Sequence, residues 1–170
     1  MPETNLCPPE NRPEGRTVSA SRTEQVQILT YNAINGYNRL FGGQLMEWID
    51  VVACVTARRH CGCNVTTAAV DSLEFTSPAY ANDTVILRGY ITYAGRTSME
   101  VCVRTYVEHL NGERTEINKA HLVIVAIDAN GEPVPVPPVI PETEEEKREY
   151  KEAITRRQYR DMKRIEFQEK

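Results

Sequence analysis

Residues 35–60 read NGYNRLFGGQLMEWIDVVACVTARRH. A loop rich in Asn and Gly runs into Gly42-Gly43, and a helical pattern begins there. Leu45, Trp48, Ile49, Val52, Ala53 and Thr56 fall on one face at helical spacing. Met46, Val51, Cys54 and Val55 make the opposite face apolar too, which predicts a core helix. Within it lie Glu47 and Asp50, the latter flanked by Ile49 and Val51. A carboxylate in that setting is costly unless it is paired, hydrogen-bonded or used. Asp50 therefore either bridges to an arginine at a helix contact or is a catalytic carboxylate whose pKa desolvation raises.

The two glycines bear on the second possibility. A helix N-terminus leaves backbone N–H groups unpaired, and glycine lets a substrate come close to them. Such a site suits a polarised carbonyl, although Gly-Gly also simply makes tight turns. Gly43 and Asp50 share a helix face but lie roughly 10 Å apart along its axis. One helix cannot bring both groups to one small reacting centre; two copies can.

Around this segment the chain reads as strands. TEQVQILT, residues 23–30, alternates with Val26 and Ile28 on one side. The helix is expected to stop at Gly62, and residues 65–75 form a second strand closed by Ser77-Pro78. Val85, Leu87, Gly89, Ile91 and Tyr93 alternate before a turn at Gly95-Arg96, and Met99, Val101, Val103 and Val107 follow on one face, predicting a hairpin. Asn111-Gly112 signals a second hairpin into residues 117–127, and Asp128 to Gly131 make a polar turn. One long helix followed by antiparallel strands excludes a parallel α/β fold. An α+β chain results, with the sheet wrapped around the helix and one helix face left for a second subunit.

Four ordered motifs resemble the hotdog-fold acyl-CoA thioesterases. Asn35 to Asp50 is similar to the family's N-x-x-x-x-L-F-G-G-x-L-M-x-W-I-D run, and Val70-Asp71 with Phe75 and Pro78 to its V-D-x-x-x-F-x-x-P. Ala94-Gly95-Arg96-Thr97-Ser98-Met99 resembles its V-G-R-T-S-M turn, and Ala126-Ile127-Asp128 with Gly131 and Pro133 its A-V-D-x-x-G-x-P ending. Ala33 and Asn38 depart from the pattern, standing where the family usually has Asp and Gly. The resemblance covers about residues 22–138. It implies a hotdog fold, hydrolysis of acyl-CoA to free acid and coenzyme A, and active sites at a dimer interface, with higher assemblies such as a hexamer built as a trimer of dimers. It assigns Asp50 as base or nucleophile, Asn35 as the group orienting water or thioester, and Gly43, with Gly42, as N–H donors to the carbonyl oxygen. Its turn, Arg96, Thr97 and Ser98, borders the coenzyme A site, where a cation, two hydroxyls and backbone N–H groups suit phosphate. No cofactor is implied beyond the coenzyme A of the substrate. The alternatives are a non-catalytic acyl-CoA-binding hotdog module and a hotdog acyl dehydratase. The former favours loss of the carboxylate, and the latter wants a histidine in the loop before the helix, where none stands.

The 170 residues suffice for one well-buried domain with an appendage, and 41% are hydrophobic. A net charge of −4 gives no general attraction to nucleic acid or anionic membrane, and no apolar run approaches the roughly 20 residues of a transmembrane helix. Residues 1–21 are expected to be a disordered leader without a signal core, and the location cytoplasmic. Five cysteines, an odd number, make no disulfide framework. His60-Cys61-Gly62-Cys63 reads as a helix end and turn rather than a metal site, since no second ligand pair exists. Asp71 is read as a structural hydrogen-bonder near the site, and His109 and His121 as surface or satisfied core residues. Pro133 to Pro138 predicts a stiff extended linker. Residues 139–170 form a charged helical extension, opened by Glu144 to Glu146, and its broken apolar stripe predicts loose docking.

Overall fold

The computed structural model describes residues 14–168. In chain order these form β1 (Arg16–Thr17), α1 (Val18–Ser21), β2 (Thr23–Ile28), a one-turn helix over Tyr31–Ala33, and α2 (Gly42–Cys61). Then come β3 (Asn64–Phe75), β4 (Thr84–Ala94), β5 (Ser98–Glu108), β6 (Arg114–Ile127), β7 (Val139–Ile140) and α3 (Glu144–Gln168). Strands β2-β4-β5-β6-β3 make one antiparallel sheet in that spatial order, with β2 and β3 at its edges.

The helix α2 starts where Phe41 is extended and ends where Gly62 takes a left-handed φ of 71° and bonds back to the Arg58 carbonyl. Glycine adopts that conformation without strain, and Arg58, Arg59 and His60 in the last turn suit the helix dipole. Its inner face buries Leu45, Ile49, Val52, Ala53, Thr56 and Ala57 against Val85, Leu87, Ile91, Val101, Val103, Leu122 and Ile124 of the sheet. Each large aliphatic removed from water there contributes about 1.5–3 kcal/mol. Gly89 is the point of closest approach: a Cβ would fall 2.5 Å from Thr56 Oγ1 and 2.8 Å from Val52 Cγ1. The other face of α2 is not core. Met46 and Val51 are 46% and 49% exposed, and on edge strand β3 Val70 and Phe75 are exposed as well.

Three expectations change. The leader does not run to residue 21: Val18 and Ser21 are buried, and β1 pairs in parallel with β7 because Arg16 and Thr17 lie beside Val139 and Ile140. Residues 1–13 lie outside the described residues. The Pro-rich segment is extended as expected, yet it is packed rather than free: Val136 is fully buried and its N–H bonds the Arg96 carbonyl at 2.9 Å.

The third change concerns α3, which docks firmly on the outer face of the sheet. Its start is a capping box, with Glu146 N–H donating to Thr143 Oγ1 at 3.2 Å and Thr143 N–H donating to Glu146 Oε2 at 3.1 Å. Ion pairs then replace the missing apolar stripe. Glu149, 3% exposed, accepts from Arg104 at 2.7 Å and pairs with Lys119 at 3.5 Å. Burial alone would raise its pKa, but hydrogen bonds from Tyr90 and Arg104 and the Lys119 charge hold it below the usual carboxylate range. Glu100, 1% exposed, accepts from Arg156 at 2.7 Å, Arg160 at 3.1 Å and Thr92 at 2.7 Å. Arg160 also pairs with Asp71. Glu100 and Asp71 interrupt the strands and take their cations from α3, while Glu149 of α3 takes its cations from β5 and β6, and each pairing makes the burial tolerable.

Among the described residues no helix is long and apolar enough to cross a membrane. None of them form a group of three or more His, Cys, Asp or Glu able to hold a metal ion.

Candidate active site

Three separate places in one chain carry the residues that the sequence singles out. The first is the N-terminal end of α2. Gly42 and Gly43 occupy its first turn, whose N–H groups have no acceptor within the helix, and Phe41 supplies no side-chain cap. Gly43 lies under the Phe41 ring, where a Cβ would sit 2.7 Å from Cε1, and Gly42 faces Phe75. Beside this end opens a cavity of about 310 Å³ lined by Asn35, Arg39, Leu40, Leu45, Phe75, Ala79 and neighbours.

Asn35 enters this cavity from a tight loop. Its Oδ1 accepts from the N–H groups of Tyr37 at 2.9 Å and Arg39 at 3.2 Å, while its own N–H donates to the Arg39 carbonyl at 2.8 Å. Asn38, where the family usually has Gly, takes a left-handed φ of 58°, which asparagine tolerates better than most residues. Because only oxygen accepts from backbone N–H, the amide is oriented by the loop itself. Its nitrogen makes no hydrogen bond among the described residues, and it remains a donor. The turn role thus occupies the oxygen end of this side chain and leaves its nitrogen end unused.

The second place is the middle of α2. Asp50 is half-buried and forms no ion pair among the described residues, so the bridge to an arginine is not found. Instead Thr67 of β3 donates its hydroxyl to Asp50 Oδ1 at 2.5 Å. Cys54, one helical turn on, sits 3.5 Å from the same hydroxyl. Burial raises the Cys54 thiol pKa, and the nearby Asp50 charge adds to that. The carboxylate is thus held by one neutral donor on the open side of α2, next to Met46 and Val51. Seven residues of helix separate Asp50 from Gly43, roughly 10 Å, and Asp50 does not line the Asn35 cavity.

Thr67 is absent from the sequence-based candidates. Alternation along β3 gives no hint of it, because bulges between Thr67 and Ala69 and between Val70 and Ser72 break the two-residue period. The pairing partners Ile124, Leu122 and Ala120 place Thr67, Val70 and Leu73 toward the helix. Asp71 is the extra residue of the second bulge and reaches Arg160 on the outer face, away from the site. His121 faces the same outer layer, with Nδ1 3.0 Å from Ser72 Oγ. His109 meets Thr115 on the surface.

The third set, Arg96, Thr97 and Ser98, forms the turn between β4 and β5. Gly95 N–H donates to the Ser98 carbonyl at 2.8 Å, and the Thr97 and Arg96 carbonyls accept from Ala126 and Val136 at 3.0 and 2.9 Å. The turn is therefore pinned by β6 and the Pro-rich segment, and the exposed Arg96 guanidinium meets no carboxylate among the described residues.

Residues 37–112 match the model of the thioesterase superfamily. The chain is 44% identical over 146 residues to an uncharacterized acyl-CoA thioester hydrolase, YkhA, of Bacillus subtilis, covering 85% of this chain and 78% of that protein. It spans only 40% of the mouse cytosolic acyl coenzyme A thioester hydrolase, at 29% identity. An acyl-CoA hydrolase from Staphylococcus aureus, solved with butyryl coenzyme A, coenzyme A and coenzyme A disulfide, superposes with a TM-score of 0.86 at 34% identity, over 91% of this chain and 94% of that one. An apo-hexameric acyl-CoA thioesterase superposes with a TM-score of 0.86 at 41% identity, over 88% and 97% of the two chains. With a five-stranded antiparallel sheet around one long helix and these relatives, the chain belongs to the hotdog-fold acyl-CoA thioester hydrolases of the thioesterase superfamily.

Proposed function

We propose that this protein hydrolyses acyl-CoA thioesters to the free acid and coenzyme A, at sites shared between two copies of the chain. The observation that carries the reading is the position of Asp50: held by Thr67 on the open face of α2, roughly 10 Å from the N–H groups and cavity it would have to serve within one chain. A second copy removes that gap. Strand β3 lies at a sheet edge, with unpaired backbone groups along twelve residues. Pairing it with the β3 of another copy would extend the sheet and lay the two α2 helices side by side. The exposed Met46, Val51, Val70 and Phe75 would be covered in the same step. The related apo-hexameric thioesterase supports an assembly of several such pairs, a trimer of dimers.

In each shared site Gly43, with Gly42, donates N–H to the thioester carbonyl oxygen, where negative charge develops. Asn35 Nδ2 orients the carbonyl or the attacking water. Asp50 of the neighbouring copy acts as base toward water or as nucleophile, and Thr67 fixes its carboxylate. With Asp50 as base, water attacks the acyl carbon and the C–S bond breaks. With Asp50 as nucleophile, its carboxylate displaces the thiolate and water then cleaves the mixed anhydride, restoring the carboxylate. On both routes the thiolate takes up a proton and the acyl group leaves as the free acid. Arg96, Thr97 and Ser98 hold phosphates of the coenzyme. Support for these roles comes from spacing. Alanine variants of the S. aureus hydrolase have been solved at an asparagine, an aspartate and a threonine, with the asparagine fifteen residues before the aspartate and the threonine seventeen after it. Asn35, Asp50 and Thr67 have the same spacings. No resident cofactor enters the scheme, and the cytoplasm, where coenzyme A thioesters are available, is the proposed location.

The test is Asp50→Ala, assayed by thiol release from butyryl-CoA and by coenzyme A binding in a calorimeter. Turnover should vanish while binding and oligomeric state persist. Near-wild-type turnover would reduce Asp50 to a structural residue.

A further inference from the structure

Two arginines of α3, Arg156 and Arg160, are consumed by carboxylates of the sheet, whereas Arg157 is not. Its Nη1 donates to Tyr93 Oη at 2.6 Å, and its guanidinium carbon lies 5.2 Å from the centre of the Tyr93 ring. Asp161 is 3.8 Å from Nε, an exposed pair one helical turn away. The side chain is still 43% exposed. Stacking on Tyr93 brings Nη1 directly over the β4–β5 turn, 3.0 Å from where a Cβ on Gly95 would stand. Gly95 has no left-handed φ to explain its identity; the absence of a side chain there makes room for the guanidinium. The Ser98 hydroxyl lies on the same spot, 3.4 Å from that Cβ position.

We propose that Arg157 is a second phosphate-binding arginine of the coenzyme site, so that α3 selects substrates carrying the nucleotide part of coenzyme A over shorter pantetheine thioesters. The proposal rests on the reading of the Arg96-Thr97-Ser98 turn as the phosphate-binding turn. Arg157 flanks the turn on the α3 side with the Ser98 hydroxyl beside it, and Arg96 is exposed at the turn's tip. Coenzyme A presents a diphosphate and a 3′-phosphate, more charge than one guanidinium neutralises. A planar fork fixed by an aromatic face is well suited to a second contact, since little rotamer freedom is left to lose on binding. In a chain of net charge −4, two arginines at one turn are a local departure from the overall balance. The firm docking of α3 through Glu100 and Glu149 keeps Arg157 in register with the turn.

The experiment compares kcat/KM for butyryl-CoA and butyryl-pantetheine in wild type, Arg157→Gln, Arg157→Lys and Gly95→Ala, with coenzyme A binding measured by calorimetry. Arg157→Gln should lower the CoA-to-pantetheine ratio about tenfold and weaken coenzyme A binding to a similar extent, as loss of one charge-assisted contact does. Arg157→Lys should fall between, because the charge remains without the fork. Gly95→Ala should lower the ratio in the wild type by crowding the guanidinium and add nothing to Arg157→Gln. Arg148→Gln, on α3 and 67% exposed, should leave the ratio unchanged. The proposal fails if Arg157→Gln keeps the wild-type ratio, or if both substrates decline together with the melting temperature, which would make Arg157 a docking residue for α3. A wild type that binds no coenzyme A overturns the thioesterase reading as well, whereas coenzyme A binding equal in wild type and Arg157→Gln overturns only the role of Arg157.

Discussion

Which residues act within one chain and which across two can be decided by mixing inactive variants. Asn35→Ala and Asp50→Ala homo-oligomers should each lose almost all activity, because every site lacks one partner. In a dimer containing one copy of each, one site combines both damaged residues and the other combines both intact ones. Refolded together at equal amounts, half of the dimers are mixed and half of their sites are whole, so activity returns to about a quarter of wild type. The Thr67–Asp50 hydrogen bond, 2.5 Å within one chain, adds a second arm. Thr67→Ala should be rescued by Asn35→Ala to the extent that Asp50→Ala is. It should not be rescued by Asp50→Ala, because every site of that mixture carries a damaged Asp50–Thr67 unit. Thiol release on mixtures whose composition is verified by mass spectrometry gives the readout. If verified Asn35→Ala/Asp50→Ala dimers stay as inactive as their parents, the shared site is wrong. If Thr67→Ala and Asp50→Ala rescue each other, Thr67 serves the opposite site.

Three further outcomes follow from the structure. Arg96→Ala should raise KM for acyl-CoA more than it lowers kcat, because a contact remote from the reacting carbonyl contributes mostly uniform binding; unchanged KM values would remove Arg96 from the coenzyme site. Glu100→Ala takes from Arg156 its closest carboxylate and leaves Arg160 with Asp71 alone, and should cost about 3–5 kcal/mol in urea unfolding, with α3 becoming the first protease target; a loss below about 1 kcal/mol would mean that α3 is held by other contacts. Burial, and then the Arg156 and Lys119 charges, push the His121 pKa down to about 3 from an ordinary 6.5, so the unfolded chain binds one more proton than the folded one between those values. Stability present above pH 6.5 should therefore be lost on acidification, with a slope of up to about 1.4 kcal/mol per pH unit from this group. His60, lowered by burial, adds in the same sense. His121→Asn should flatten the slope between pH 6.5 and 5, and an unchanged slope would show that His121 does not titrate differently in the two states.

Local chemistry wrote much of this architecture into the chain. Gly42-Gly43 and Gly62 bracket α2 because an open N-terminus and a left-handed cap need no side chain, and those bounds match the observed Gly42–Cys61. Asn111-Gly112 marks a hairpin for the same kind of local reason, since Gly112 takes a left-handed φ of 84°, and the motif run from Asn35 to Asp50 identifies the family. The distance between Gly43 and Asp50 is also a sequence quantity, since a helix rises by a constant step per residue. Relations between distant segments are another matter. Regular alternation from Thr67 would point Asp71 at the helix as well, yet two bulges turn Asp71 outward to Arg160 and leave Thr67 alone beside Asp50. A bulge is a property of the pairing with β6 and has no signature in β3 itself. The firm seat of α3 was equally hidden, because a helical wheel scores apolar residues, and what holds this helix is the meeting of its arginines with carboxylates of β3 and β5 and of its Glu149 with cations of β5 and β6. Burial of a charge depends on a partner from elsewhere in the chain, so only the tertiary structure could decide it.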